Sequence, residues 1–148
     1  MNEFSIERLT YEHLGGIAEL EELCFSLPWS EKALELLLEG SNVGFVALDK
    51  NKRVVAYGGM LCVLDEGQIT NIATHPELRR KGLGEKVTSA LVEYGSQNGL
   101  NVISLEVRES NAAAISLYEK LGFLAVGKRK NFYSSPTENA IVMLRNIG

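Results

Sequence analysis

Apolar side chains recur along this chain with two periods, and the switches between them mark its elements. Phe4, Ile6 and Leu9, with Arg8, predict a first strand. Thr10 stands where it can cap a helix carrying Leu14, Ile17, Leu20 and Cys24 on one face. Gly15-Gly16 weakens the start of that helix, and His13 is expected on its surface. Ser30 predicts the cap of a second helix over 31–39, with Trp29 placed to pack on Leu34 and Gly40 to end it. Residues 43–48 and 53–64 read as strands around the polar turn 49–52, and 65–67 as a second turn. The next strand is 68–74, where Ile69, Asn71 and Ala73 alternate with Gln68, Thr70, Ile72 and Thr74. A long helix over 83–98 stops at Gly99, and a strand follows over 102–107. Asn111 caps a helix through Lys120 that Gly122 closes. Residues 123–130 and 139–144 form a final antiparallel pair, and the loop 131–137 is expected to be the mobile connection.

This order, βααβββ-αβ-αββ, predicts a mixed α/β (α+β) sandwich. Crossover helices are expected to make parallel neighbours of the strands around 68–74 and 102–107. With 148 residues, no repeat and no linker, one domain over 1–148 is expected. Hydrophobic residues make up 45% and charged residues 23%, the balance of a soluble globular chain. There is no apolar run of membrane-spanning length and no signal-peptide pattern in the first residues, so a cytoplasmic protein without a membrane partner is expected. A net charge of −4 argues against non-specific nucleic-acid binding. Cys24 and Cys62 are expected as buried reduced thiols, since no Cys or His spacing suits a metal. His13 and His75 are too isolated to anchor a catalytic triad.

The chemistry concentrates in Asn71 to Glu85, NIATHPELRRKGLGE. Pro76 ends a strand, Arg79, Arg80 and Lys81 supply positive charge, and Gly82-Leu83-Gly84 leads into a helix. A helix start exposes unpaired N–H groups and the positive end of the dipole, and glycines admit a ligand to the backbone. Together these form a phosphate cradle; a solvated basic loop is the plainer alternative. The P-loop is excluded because no Lys-Ser or Lys-Thr follows Gly84. The dinucleotide fingerprint is excluded because Val87 stands where its third glycine belongs.

The run Arg79-Arg80-Lys81-Gly82-Leu83-Gly84 resembles the Arg/Gln-x-x-Gly-x-Gly/Ala signature of the GNAT N-acetyltransferases, and the element order matches that fold along nearly the whole chain. Within the superfamily the chain is most similar to the ribosomal-protein-alanine N-acetyltransferases, the RimI group. Pro28-Trp29-Ser30, Asn71-Ile72-Ala73, 105–108 (LEVR), 110–114 (SNAAA), 117–123 (LYEKLGF), Asn131-Phe132-Tyr133 and 138–143 (ENAIVM) carry the similarity. Two positions depart from the group: His75, where an acidic residue is common, and Phe132, where tyrosine is usual.

The resemblance implies a GNAT-type fold, mostly antiparallel, whose central parallel strands splay apart. It implies that the loop from Arg79 to Gly84 binds the pyrophosphate of acetyl-CoA. The backbone of Asn71, Ile72, Ala73 and Thr74 would receive the pantetheine arm, with Asn111 and Tyr118 as further contacts to this co-substrate. It implies Glu106 as general base and Tyr118 as general acid, with no metal. The implied partner is the N-terminal segment of a protein, a small-subunit ribosomal protein beginning with alanine.

Physical chemistry bears on each role. Glu106 interrupts an apolar strand, where a carboxylate sits on a solvated face, pairs with Arg108 on the same face, or serves a function. An α-amine titrates near ~7.8, so removing its proton at neutral pH costs ~1 kcal/mol or less, against ~4–5 kcal/mol for a lysine amine. A carboxylate suits the first task better than the second. Asn111 is also an ordinary helix cap, and a buried tyrosine such as Tyr118 needs a partner for its hydroxyl. Two alternatives stay open: a GNAT enzyme acting on a polyamine or aminoglycoside, and a non-catalytic CoA-binding module.

Overall fold

The computed structural model describes residues 3–148. In chain order the elements are β1 (Ser5–Arg8), a 3-10 turn (Tyr11–His13), α1 (Leu14–Cys24), α2 (Glu31–Leu34) running into a 3-10 turn (Glu35–Leu38), β2 (Val43–Leu48), β3 (Val54–Val63) and β4 (Glu66–Thr74). A 3-10 turn (Pro76–Leu78), α3 (Leu83–Gln97), β5 (Val102–Arg108), α4 (Ala112–Lys120), β6 (Leu124–Tyr133) and β7 (Glu138–Asn146) follow. The strands form one seven-stranded sheet in the order β1-β2-β3-β4-β5-β7-β6. Every neighbouring pair is antiparallel except β4 and β5. This is the mixed α/β architecture expected from the element order. Among the described residues no helix is long and apolar enough to cross a membrane.

The sheet is covered on both sides. Leu14, Ile17 and Leu20 of α1, with Leu34 and Leu37, pack against Val46, Leu48 and Tyr57. On the other face Leu91 and Val92 of α3 and Tyr118 of α4 join Ile103, Leu105, Val107, Phe123 and Met143. One glycine of the Gly-Gly pair in α1 has a packing reason: a Cβ on Gly16 would lie 3.0 Å from Val54 Cγ2, so the helix approaches β3 closely there.

The parallel contact is short, as the splayed strand pair implied by the resemblance requires. β4 pairs with β5 only over Glu66–Gln68 with Val102–Ser104, and beyond that the two strands part. Only the α3 crossover yields a parallel neighbour; after α4 the chain places β6 at the sheet edge, with β7 between it and β5. β4 also departs from the expected alternation. Gly58 pairs with Ile72 and Met60 with Ile69, so two steps on β3 answer three on β4. This extra residue is a β-bulge, which re-aims side chains. Ile69 and Ile72 consequently both pack on the α3 side. Thr70 and Asn71 both face the α1 side: Thr70 Oγ1 and Leu37 would meet a Cβ on Gly59, and the Asn71 amide reaches Glu21.

Other expectations need correction. β4 starts at Glu66, because the β3–β4 hairpin turns through Leu64 and Asp65 alone, with Leu64 at φ +55°. The expected helix over 31–39 is one α turn continued as a 3-10 turn. Residues 131–133, expected in a mobile loop, belong to β6. The remaining turn is tied down by Arg108, which donates to the carbonyls of Ser134 and Pro136 at 3.2 and 3.0 Å. His13 is buried rather than on the surface, since its Nδ1 accepts the Thr10 backbone N–H at 3.0 Å. Cys24 and Cys62 are free thiols but only half-buried.

Candidate active site

Where β4 and β5 part, their facing edges lose the ladder, and backbone groups left without a strand need another partner. A cleft of about 520 Å³ opens there, within the size range of small-ligand sites. Its walls are the loop after α1, β4 over 69–72, β5 over 105–108, the first turns of α4, and the β6–β7 turn. A larger groove of about 680 Å³ lies between α1 and the β2–β3 turn; His13 and His75 line it, but none of the residues given a catalytic or co-substrate role in the sequence does.

Strand alternation decides how side chains enter the cleft. Ile103, Leu105 and Val107 point into the α3 side core, so Ser104, Glu106 and Arg108 point the other way. Glu106 accepts from Gln68 Nε2 at 3.1 Å and from Arg129 Nη1 at 3.0 Å, with 13% of its side chain exposed. The pairing with Arg108 does not occur. Arg108 binds Glu138 at 3.2 Å and lies 4.5 Å over the ring of Tyr133. Hydrogen bonds from Ser110, and then Arg108, hold the Glu138 carboxyl below the ordinary range. Burial, followed by the charge of Glu106, pushes the Tyr133 phenol up to about 12.

Tyr118 reaches the cleft from the opposite face. It is 7% exposed and packs edge-on against Phe123 at 6.0 Å. Among the described residues its hydroxyl has no hydrogen-bond partner, yet no unpartnered side-chain polar atom is sealed from solvent, so the hydroxyl opens to the cleft. Burial raises its pKa, with Tyr133 adding to the shift. Asn111 lines the cleft while capping α4, its Oδ1 accepting the Ala114 N–H at 3.1 Å.

The basic loop adjoins β4 at the start of α3. Arg80 and Gly82 are left-handed, with φ +70° and +77°. No side chain caps the helix, and Lys86 donates the first helical bond to the Gly82 carbonyl at 3.1 Å. The N–H groups before it therefore lack helical partners. Leu83 is a core residue, so it offers only its backbone here. A Cβ on Gly84 would lie 3.6 Å from Thr74 Oγ1 and 3.9 Å from Ile72 Cγ2, which brings the loop to the end of the bulged strand. Arg80 and Lys81 are exposed and make no ion pair among the described residues.

Of the residues singled out in the sequence, Asn71, Ile72, Glu106, Asn111 and Tyr118 line one cleft. Ala73 is buried in the core, and the Thr74 carbonyl accepts the Cys24 thiol at 3.4 Å. Arg79, Arg80, Lys81, Gly82, Leu83 and Gly84 form the adjoining loop, with Arg79 Nη2 3.8 Å from Cys24 Sγ. Sequence reasoning missed Gln68 and Arg129, which hold Glu106, because both contacts cross strands. It also missed Cys24 as a cleft residue, whose thiol pKa burial raises.

Residues 14–123 match the Acetyltransferase (GNAT) family model. The [ribosomal protein bS18]-alanine N-acetyltransferase of Escherichia coli (strain K12) is 36% identical over 141 residues, covering 94% of this chain and 95% of that protein. The crystal structure of the ribosomal-protein-S18-alanine N-acetyltransferase from Escherichia coli superposes with a TM-score of 0.89 at 34% identity, covering 98% of this chain and 94% of that one. A GNAT superfamily phosphinothricin acetyltransferase from Sinorhizobium meliloti, in complex with AcCoA, shares the fold at a TM-score of 0.85 and 21% identity, over 99% of this chain and 90% of that one. A split parallel pair beside a basic helix start, and relatives matched almost end to end, agree on one conclusion: the chain belongs to the GNAT acetyltransferase family.

Proposed function

We propose that residues 1–148 act as a single acetyltransferase unit that acetylates the N-terminal α-amine of a protein, a ribosomal protein beginning with alanine, by direct transfer from acetyl-CoA. The observation that carries this is the convergence of Glu106 and Tyr118 on one cleft from opposite faces of the sheet. Relatives named for alanine acetylation of ribosomal protein bS18 support the substrate. Acetyl-CoA supplies an activated acetyl thioester.

In this mechanism the amine attacks the thioester carbonyl. A C–N bond forms, and Glu106 takes the amine proton directly or through water. The C–S bond breaks, and the CoA thiolate takes a proton from Tyr118. Gln68 and Arg129 fix the direction of the Glu106 carboxylate. The backbone edge of Asn71, Ile72, Ala73 and Thr74, left open by the departure of β5, holds the pantetheine arm as an added strand would. Asn111 adds a polar contact at the mouth of α4. The loop from Arg79 through Arg80, Lys81, Gly82 and Leu83 to Gly84 offers N–H donors and charge to the pyrophosphate.

Incubation with acetyl-CoA and a panel of peptides and small amines, read by mass spectrometry, tests the substrate. Peptides with a free N-terminal alanine or serine are expected to be acetylated well ahead of internal lysines. Acetylation of an N-terminally blocked lysine peptide without any on free α-amines would refute the assignment. Preference for a polyamine or aminoglycoside would move the enzyme to the small-amine class, and no transfer to any acceptor would leave a CoA-binding module.

The cradle has its own test. Gly84 has room for a Cβ but faces Ile72, Thr74 and Leu117, so an indole would fill the approach to β4. Gly84→Trp is expected to weaken acetyl-CoA binding by about tenfold or more in titration calorimetry, the loss that goes with ~1.4 kcal/mol. Unchanged affinity in the folded variant would remove the cradle.

A further inference from the structure

We propose that Glu21 is a positioning residue that holds the two banks of the cleft in register, an inference that rests on β4 being the cofactor strand. Glu21 follows Ile17 by one helical turn, on the α1 face that otherwise carries Leu14, Ile17 and Leu20. It is completely buried, at 0% exposure. One carboxylate oxygen accepts the backbone N–H of Trp29 at 2.9 Å. The other accepts the Asn71 side-chain amide at 2.9 Å and the Tyr57 hydroxyl. These donors belong to the loop after α1, the β4 bulge and β3. Trp29 and Asn71 line the cleft, and Glu21 itself does not.

All three donors are neutral, and no cation pairs with Glu21 among the described residues. Burying a carboxylate this way is costly, and an apolar side chain of similar volume often serves a core as well or better. The three hydrogen bonds supply geometry instead. A bulge leaves its extra residue outside the ladder, so the Asn71 side chain needs an anchor if the bulge is to keep one shape. The Glu21 main-chain carbonyl also accepts the Phe25 N–H at 2.9 Å, so this one residue ties both ends of the loop over 25–29. A shift of the loop must therefore strain the bulge, and the reverse. Trp29 and Asn71 line the cleft that receives both substrates, so the coupling acts first on their binding.

Glu21→Gln keeps the shape but turns an acceptor oxygen into a donor, so one of the three contacts is lost. The expected result is a folded enzyme whose KM for acetyl-CoA and for an alanine-initiated peptide both rise about tenfold or more, with kcat changed less. Tyr57→Phe removes the one donor remote from the cleft and is expected to lower Tm with both KM values unchanged. Because Glu21 acts through Asn71, combining Glu21→Gln with Asn71→Ala should cost little more than the worse single change. Unchanged KM values in folded Glu21→Gln, or losses that multiply in the double variant, overturn the proposal. Hydrogen exchange on the unmutated protein needs no variant to fold: CoA binding should slow exchange at the Trp29 amide. CoA binding without that slowing overturns the coupling and leaves β4 as the cofactor strand; absence of CoA binding overturns both.

Discussion

Glu106→Gln is expected to lower turnover by about 10²–10⁴-fold, the usual contribution of a general base. The protein should stay folded. The substitution preserves volume, only 13% of the Glu106 side chain is exposed, and the new amide oxygen can still accept from Gln68 or Arg129. What disappears is the capacity to take a proton while the amine attacks. The α-amine is increasingly protonated below ~7.8, so the deficit should deepen as pH falls and shrink as it rises. Single-turnover acetylation across a pH series, alongside circular dichroism, measures both. Full activity of the variant at pH 7 would reduce Glu106 to one side of an ion pair with Arg129. The pair is itself partly exposed on the arginine side, so its loss alone should cost little stability.

Tyr118→Phe is expected to reduce turnover by about 10²-fold while leaving acetyl-CoA affinity nearly intact. With ordinary values, a phenol near ~10 protonating a thiolate whose acid is near ~8.5 is uphill by ~2 kcal/mol. Burial raises the Tyr118 phenol further, so full transfer in the closed cleft costs more than that. The same shift keeps the hydroxyl protonated across the working pH range, where it donates a hydrogen bond to sulfur as charge develops. The ring stacks edge-on against Phe123, and the hydroxyl has no protein partner among the described residues. Phenylalanine should therefore fit without loss of stability. Wild-type turnover in the variant would reject the acid role, and a loss seen only as weaker cofactor binding would make Tyr118 a binding residue.

Much of the fold was legible because it is local. Ser30 accepts the Ala33 N–H and Asn111 the Ala114 N–H, the caps their side-chain chemistry predicts. β5 keeps strict alternation, so the pattern alone places Glu106 with Ser104 and Arg108 on the face opposite Ile103, Leu105 and Val107. The β4 bulge was not legible. TNIAT reads as five alternating residues, and only the pairing of Met60 with Ile69 and Gly58 with Ile72 reveals the extra one. Glu21 carried an unused signal, a carboxylate one turn after Ile17 on an apolar helix face. Its partners, Tyr57 and Asn71, lie 36 and 50 residues away, beyond any periodic pattern.

The sequence by itself determined most of the helices and strands, apart from the second helix and the ends of β4 and β6, where the cationic glycine loop meets a helix start, and which carboxylate and phenol stand out. Those features depend on backbone propensity, capping and periodicity within a few residues. Tertiary structure alone decided where β4 and β5 separate, after Gln68 and Ser104, that Arg129 rather than Arg108 faces Glu106, and that a buried carboxylate on α1 joins the loop at Trp29 to the bulge at Asn71. Each of these is a contact between segments far apart in the chain, set by how the sheet twists and packs against its helices.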